Sequence, residues 1–317
     1  MSTYSIGIDI GATNTDIGLV RNDGTVMGHH ILKTQEYEQT DAYIRDITHG
    51  IRQLMQGHAI SAIDGIGIGA PNANFFNGCI EENTVNLRIK ERIPLRALLT
   101  ESFQVPIVVD NDANAAAYGE HIYGGAKEMR HFIMLTLGTG VGSGIVIDNQ
   151  ILHGHTGTAG ELGHAIVNPM GRRCHCGRIG CIEAYACAQG ICDNYIEEWK
   201  KGEIKPLLEP EDVSTVTCQF IGESAVKGDP LAMKAYDTTA YWLGIALANA
   251  AAFSAPEAIF LMGGPTRAGE ALMKPLRHYF EEHLLYIYKG KISVQLSLLN
   301  SNDAAILGAA ALSKLIY

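Results

Sequence analysis

A chain of 317 residues with 47% hydrophobic side chains can fill one large or two medium cores, which excludes disorder, and 18% charged residues with 35 glycines and 10 prolines exclude coiled coils and fibres. Lysine plus arginine number 24 against 34 acidic residues, a formal charge of −10 with no long basic run, so nucleic acid is not an expected partner. Seven cysteines are an odd count, three of them in one short glycine-rich segment, and this favours a reducing cytoplasm and a metal over disulfides.

Residues 1–9 lack the basic and apolar regions of a secretory leader, and the most apolar later stretch, Leu243 to Ala255, is interrupted by Asn249. Spanning a bilayer takes about 20 apolar residues, so no membrane segment is expected. Ser5-Ile-Gly-Ile-Asp-Ile-Gly, Ala12-Thr-Asn, Thr15 to Val20 and the turn Arg21-Asn-Asp-Gly24 predict a glycine-turned β-hairpin followed by another. The same grammar returns at Phe132 to Gly138, Thr139-Gly-Val-Gly142, Ser143 to Ile147 and the turn Asp148-Asn149, a weak internal duplication. Between the copies the pattern predicts a helix from about Asp41 to Met55, strands at Gly65 to Gly69 and Val105 to Asp110, and a helix opening near Asp112. Beyond the second copy lie a cysteine-rich loop, a helical region from about Asp229 to Phe253, a strand at Ala258 to Met262, a Gly-Gly turn into another helix, and a last alanine-rich helix at about Ser301 to Leu315. Alternating strands and helices predict α/β architecture with a mostly parallel sheet, and duplicated lobes predict a ligand cleft between them, with a boundary near residue 115.

Each glycine hairpin, Asp9-Ile-Gly11-Ala-Thr13 and Leu137-Gly138-Thr139-Gly140, can offer backbone N–H groups and a threonine hydroxyl to a phosphate chain. A single such hairpin reads as an ordinary tight turn; two at equivalent positions read as a phosphate site. Neither a GxxxxGK[ST] run nor a complete GxGxxG fingerprint is present, which disfavours P-loop and Rossmann enzymes. Asp9, at a strand end, is either a turn residue or a carboxylate for Mg²⁺ and phosphate. Asp112, at a strand-to-helix junction, is either an N-cap or a base facing the cleft that takes a proton from a sugar hydroxyl. His164, Cys174, Cys176 and Cys181 supply one nitrogen and three sulfurs, a set suited to a closed structural Zn²⁺ site. His175 is a rival ligand expected to point away, and Cys79, Cys187, Cys192 and Cys218 read as small buried hydrophobes.

These residues resemble the ROK family of sugar kinases and repressors, within the actin-like (ribonuclease H-like), hexokinase-type ATPase fold. The resemblance covers nearly the whole chain and rests on Asp9-Ile-Gly-Ala-Thr13, Asn111-Asp112-Ala, glycines 138 to 144, Glu161-x-Gly-His164, the Cys174-x-Cys176 to Glu183 run and Leu261-Met-Gly-Gly264. It implies a two-lobed kinase, residues 1–115 completed by 301–317 and residues 116–300, that closes on its sugar. It further implies Asp112 as general base toward a hexose 6-hydroxyl, with Asn111, Glu161, His164 and Glu183 on the other hydroxyls. Asp9, Gly11, Thr13, Gly138, Thr139 and Gly140 would attend ATP and Mg²⁺, with Gly263 and Gly264 beneath the adenosine. Glucose is the first expected substrate, ahead of N-acetylmannosamine, allose or fructose, and a homodimer is implied. Sugar-responsive repressors share the fold but carry an N-terminal helix-turn-helix module, whereas this chain enters its first strand at Ser5, so the repressor reading ranks lower. Asn14, Asn72 and Pro265 depart from the family pattern, where Lys, Gly and Gly are frequent.

Overall fold

The computed structural model describes residues 3–84, 87–210, 212–299 and 302–315. Strands β1 (Tyr4–Ile10), β2 (Asn14–Arg21) and β3 (Val26–Lys33) form an antiparallel meander. Helix α1 (Thr40–Gly57) then crosses to β4 (Gly65–Ala70), which pairs parallel with β1. A small ribbon, β5 (Ala73–Asn74) with β6 (Cys79–Ile80), precedes α2 (Leu95–Thr100) and β7 (Ile107–Asn111), which lies parallel to β4. The first sheet therefore runs β3-β2-β1-β4-β7.

Helix α3 (Asp112–Ile122) leads into a second meander, β8 (Phe132–Leu137), β9 (Val141–Ile147) and β10 (Gln150–Ile151). Asp148 and Asn149, with φ of 50° and 66°, form the mirror-image turn that the strand twist favours. Helices α4 (Glu183–Ala186), α5 (Ala188–Lys201), α6 (Cys218–Val226) and α7 (Pro230–Ser254) precede β11 (Ala258–Gly263), parallel to β8. Helix α8 (Glu270–His283), β12 (Ser293–Leu296) and α9 (Ala304–Leu312) complete the chain. The second sheet runs β10-β9-β8-β11-β12, the same order and sense as the first, so the repeated hairpin grammar marks a duplicated topology.

Alternating isoleucine and glycine in β1 and β4 has a packing cause. Ile6, Ile8, Ile66 and Ile68 are fully buried in a core closed by α1 and α2, while the glycines face the other way, where α9 lies against the sheet. A Cβ on Gly67 would sit 1.9 Å from the carbonyl of Ala309, and one on Gly7 2.3 Å from that of Ile306, so only glycine admits this helix. Helix α3 lies on the second sheet, where a Cβ on Gly144 would meet the Ala113 carbonyl at 2.7 Å. The two helices also touch each other backbone to backbone, since a Cβ on Gly119 would stand 2.7 Å from the Gly308 Cα.

Several boundaries differ from the sequence expectation. Strand β7 starts at Ile107 because Pro106 has no N–H to give the ladder; its carbonyl instead accepts from Ile66. The last helix begins at Ala304, and Ser301 lies outside the described residues. Helices α5 and α6 and strand β12 carry no pattern that the reading picked out. Asp229 caps α7, accepting from the N–H groups of Leu231 and Ala232 ahead of Pro230 at the first helical position.

Candidate active site

The loop from β7 into α3 carries the central carboxylate. Asn111 holds the N-cap, its Oδ1 accepting from Ala113 N at 2.9 Å, so Asp112 falls in the first helical turn instead, where the helix dipole favours negative charge. The Asp112 side chain also accepts from Ala113 N, at 2.8 Å, yet remains exposed to solvent within a pocket of about 160 Å³. Asn72, Asn74, Glu81, Asn111, Asn114 and Glu161 line that pocket with it. Desolvation by the surrounding walls pushes the Asp112 pKa above the ordinary carboxylate range, against the opposing pull of the Ala113 N–H.

Asp9, at the end of β1, is pushed from 3.8 to about 7, chiefly by burial and then by the charges of Asp112 and Asp16. Its neighbouring carboxylates concentrate negative charge here, which a bound cation would offset. Gly11 and Thr13 form the adjoining turn, in which Gly11 donates to Asn14 O at 2.9 Å and Thr13 O accepts from Thr34 N.

The second hairpin opens onto a different cavity, of about 710 Å³ and largely apolar. Gly138, Thr139, Cys218, Tyr236, Gly264 and Pro265 line it, a volume and character suited to a nucleoside. Gly140 lies inside the turn, its carbonyl accepting from Gly138 N. Gly263 takes φ 109°, and a Cβ there would lie 1.9 Å from Leu137 O, so the Gly-Gly turn is required for β11 to end against β8. Pro265 at the common third-glycine position is buried as part of the cavity wall. The β8–β9 hairpin joins the two sites, since Gly142 and Ser143 line the smaller pocket.

The donor atoms of His164, Cys174, Cys176 and Cys181 lie within 4.8 Å of one another. Cys176 and Cys181 sulfurs are 3.6 Å apart and Cys174 Sγ is 3.8 Å from His164 Nδ1, spacings close to the edges of a tetrahedron with metal–ligand bonds of about 2.0–2.3 Å. The four residues thus fit Zn²⁺. His164 turns Nε2 toward Glu161, at 3.9 Å. His175 is not a member of the group.

Not every sequence candidate reaches the pocket around Asp112. Asn111 and Glu161 line it; His164 and Glu183 do not. Glu183 instead accepts from Val141 N at 3.0 Å and stands 3.5 Å from Cys174 Sγ, tying the second hairpin to the cysteine cluster. Asn74, Glu81 and Asn114 were not singled out by sequence, although Asn72 was, as a departure. Its φ of 52° shows an asparagine in the left-handed conformation that glycine more often supplies. Asn114 is nearly fully buried, and its Oδ1 takes no hydrogen bond among the described residues, leaving an acceptor beside the pocket.

Two sheets of identical order, a cleft carboxylate and a separate nucleoside-sized cavity define a two-sheet α/β protein of the actin-like ATPase fold. The chain belongs to the ROK family, which it matches over residues 5–315. It is 33% identical to a glucokinase of Halalkalibacterium halodurans over 98% of this chain and 95% of that one. A ROK family glucokinase from Streptomyces griseus, solved with glucose and AMPPNP, superposes with a TM-score of 0.79 at 29% identity, covering 98% and 99% of the two chains. A ROK family transcriptional regulator, a homologue of the E. coli MLC protein, gives 0.87 at 25% identity over 98% of this chain and 77% of the regulator.

Proposed function

We propose that this chain is an ATP-dependent hexose kinase that phosphorylates the 6-hydroxyl, with glucose the first candidate substrate and Asp112 the general base. The observation that carries the reading is the position of Asp112 at a strand end, open to a small polar pocket and joined by one hairpin to an apolar nucleoside-sized cavity. Asn111, Glu161 and the orphan acceptor of Asn114 give sugar hydroxyls the partners they need on leaving water. As the 6-oxygen attacks the γ-phosphorus, Asp112 takes its proton and the bond to the β-phosphate oxygen breaks, releasing ADP. Its raised pKa makes it a stronger proton acceptor than an ordinary aspartate.

Mg²⁺ would be held near Asp9, where it offsets phosphate charge. Thr13 and Thr139 approach the phosphates on this reading, with Gly11, Gly138 and Gly140 giving backbone access, and Gly263-Gly264 lie beneath the adenosine. Zinc would be held by His164, Cys174, Cys176 and Cys181, four protein ligands suited to a structural role, and would steady Glu183 and through it the second hairpin. His164 and Glu183 reach the sugar only if the cleft closes. The same reading divides the chain into lobes of residues 1–115 with 301–317 and 116–300, and makes the protein a cytoplasmic homodimer. Among the described residues no helix is long and apolar enough to cross a membrane.

A sugar-responsive regulator without catalysis is the second reading, favoured by the likeness to the transcriptional regulator. A coupled ADP-release assay of the purified protein against hexoses and amino sugars separates the two. Turnover of at least one sugar with ATP supports the kinase; sugar binding by calorimetry without turnover supports the regulator.

A further inference from the structure

Beside Gly142 and Ser143 of β9, the pocket around Asp112 is lined by three walls drawn from distant parts of the chain: residues 72–81 around the β5–β6 ribbon, the β7–α3 junction, and residues 157–161 beyond β10. All three meet at one buried residue outside the pocket lining, His153, which is 7% exposed: two at its side chain and the third at its backbone carbonyl. Its Nε2 lies 2.6 Å from Oδ2 of Asp110, itself wholly buried. A carboxylate only accepts, so this nitrogen carries the hydrogen. The other oxygen of Asp110 accepts from Asn111 N at 2.7 Å and from Asn114 Nδ2 at 2.9 Å, so the histidine's partner sets the turn that presents Asn111 and Asp112. The opposite face of the ring stacks on Phe75, with centroids 4.0 Å apart and planes at 18°. Beside that stack Asn74 Nδ2 donates to Thr156 O at 2.9 Å, a second link between the first and third walls. The His153 carbonyl accepts from Ala159 N, holding the third wall to its own start.

We propose that His153 is a positioning residue that helps assemble the sugar pocket, its buried imidazole joining the 72–81 segment and the β7–α3 junction to the stretch of chain that runs on into residues 157–161, without touching the substrate. Its ligand rests on the hexose-kinase reading; its geometry does not. A hydrogen-bond donor at 153 is required because Oδ2 of the buried Asp110, left without a partner while Oδ1 keeps Asn111 and Asn114, would pull the carboxylate round and the Asn111–Asp112 junction with it. An aromatic ring at 153 adds stacking on Phe75, with the Phe76 ring also near it at 6.0 Å between centroids, to the Asn74–Thr156 bond that ties the same segment down.

The test compares wild type, His153→Ala, His153→Gln and Phe75→Leu, with glucose as the probe. In His153→Ala, glucose affinity by calorimetry and glucose KM each worsen at least tenfold while ATP KM stays within twofold. In His153→Gln, whose amide still donates to Asp110, most of that loss is recovered, and Phe75→Leu raises glucose KM alone. A folded His153→Ala with wild-type glucose affinity overturns the proposal, as does equal impairment of the Ala and Gln variants or an ATP KM that rises in step. Should the alanine variant fail to fold, Phe75→Leu and His153→Leu decide: a raised glucose KM with ATP KM within twofold supports the proposal, and wild-type glucose KM in both overturns it. If the wild type neither binds nor phosphorylates glucose, it is the hexose-kinase reading for glucose that fails, and amide exchange then decides the inference. Faster exchange in His153→Ala and in Phe75→Leu confined to 72–81, 110–114 and 153–161, and smaller in His153→Gln, supports it, and unchanged exchange there in Phe75→Leu and His153→Ala overturns it.

Discussion

Asp9→Asn is expected to make the protein more stable while removing its activity. Folding lifts the Asp9 carboxyl from 3.8 to about 7, by burial and by the charges of Asp112 and Asp16. Between those values the folded chain holds a proton that the unfolded chain has released, so stability falls as pH rises through this window, and the whole loss is present above about pH 7. Roughly three pKa units at about 1.4 kcal/mol each give about 4 kcal/mol. Solvent reaches part of the side chain, and screening brings the expected gain on neutralisation to about 2–4 kcal/mol. For a chain of this length that is a rise in Tm of about 3–6 °C, from an unfolding entropy near 2.1 cal/mol/K per residue. Calorimetric melts of wild type and Asp9→Asn from pH 4.5 to 8.5, in buffer free of divalent cations, measure it directly. The gap should be smallest at pH 4.5, widen to about pH 7 and then level off, and added Mg²⁺ should raise only the wild type. A variant no more stable than wild type at pH 8, or a gap that ignores pH, would refute the argument that Asp9 is held ionised against its surroundings.

Asp112→Asn should slow phosphoryl transfer by about 10²-fold to 10⁴-fold, the usual worth of a general base, with sugar affinity by calorimetry changed far less; unaltered turnover removes Asp112 from the mechanism. The acid limb of the wild-type kcat/KM profile should lie above the ordinary carboxylate range, because activity is lost as pH falls through the raised pKa of Asp112. Elemental analysis should find about one zinc per chain, and Cys176→Ser should lose the metal and activity together; full activity in metal-free protein would refute a structural role. Gly67→Ala drives a methyl into the Ala309 carbonyl and should destabilise by about 2–4 kcal/mol, read as a lower denaturant midpoint at unchanged slope.

What the sequence disclosed and what it withheld divide along physical lines. The duplicated hairpins were legible because strand alternation and glycine turns are local, and the cysteine cluster because its ligands crowd into a few residues of chain. Asp112 was legible as a carboxylate between strand and helix, but its neighbour proved to be the cap, since the two adjacent side chains compete for one N–H. Asn74, Glu81 and Asn114 were hidden because their association with Asp112 is made only by tertiary folding. The glycines of β1 read as hairpin grammar and those of β4 as part of a strand, whereas Gly7 and Gly67 serve a helix some 240 residues or more further along the chain. No local periodicity encodes a partner that distant.

The crossing of α3 and α9 at Gly119 and Gly308 gives the molecule a mechanical property. One helix rides on each sheet, and where they meet, main chain bears on main chain with no interlocking knob between. On the two-lobed reading, a turn of one half against the other would pass through this contact of backbone on backbone, and the side chains of Ile306, Leu307 and Leu312 packed around it would have to follow. A single methyl at either position would act as a detent, fixing one angle between the halves at the expense of all others.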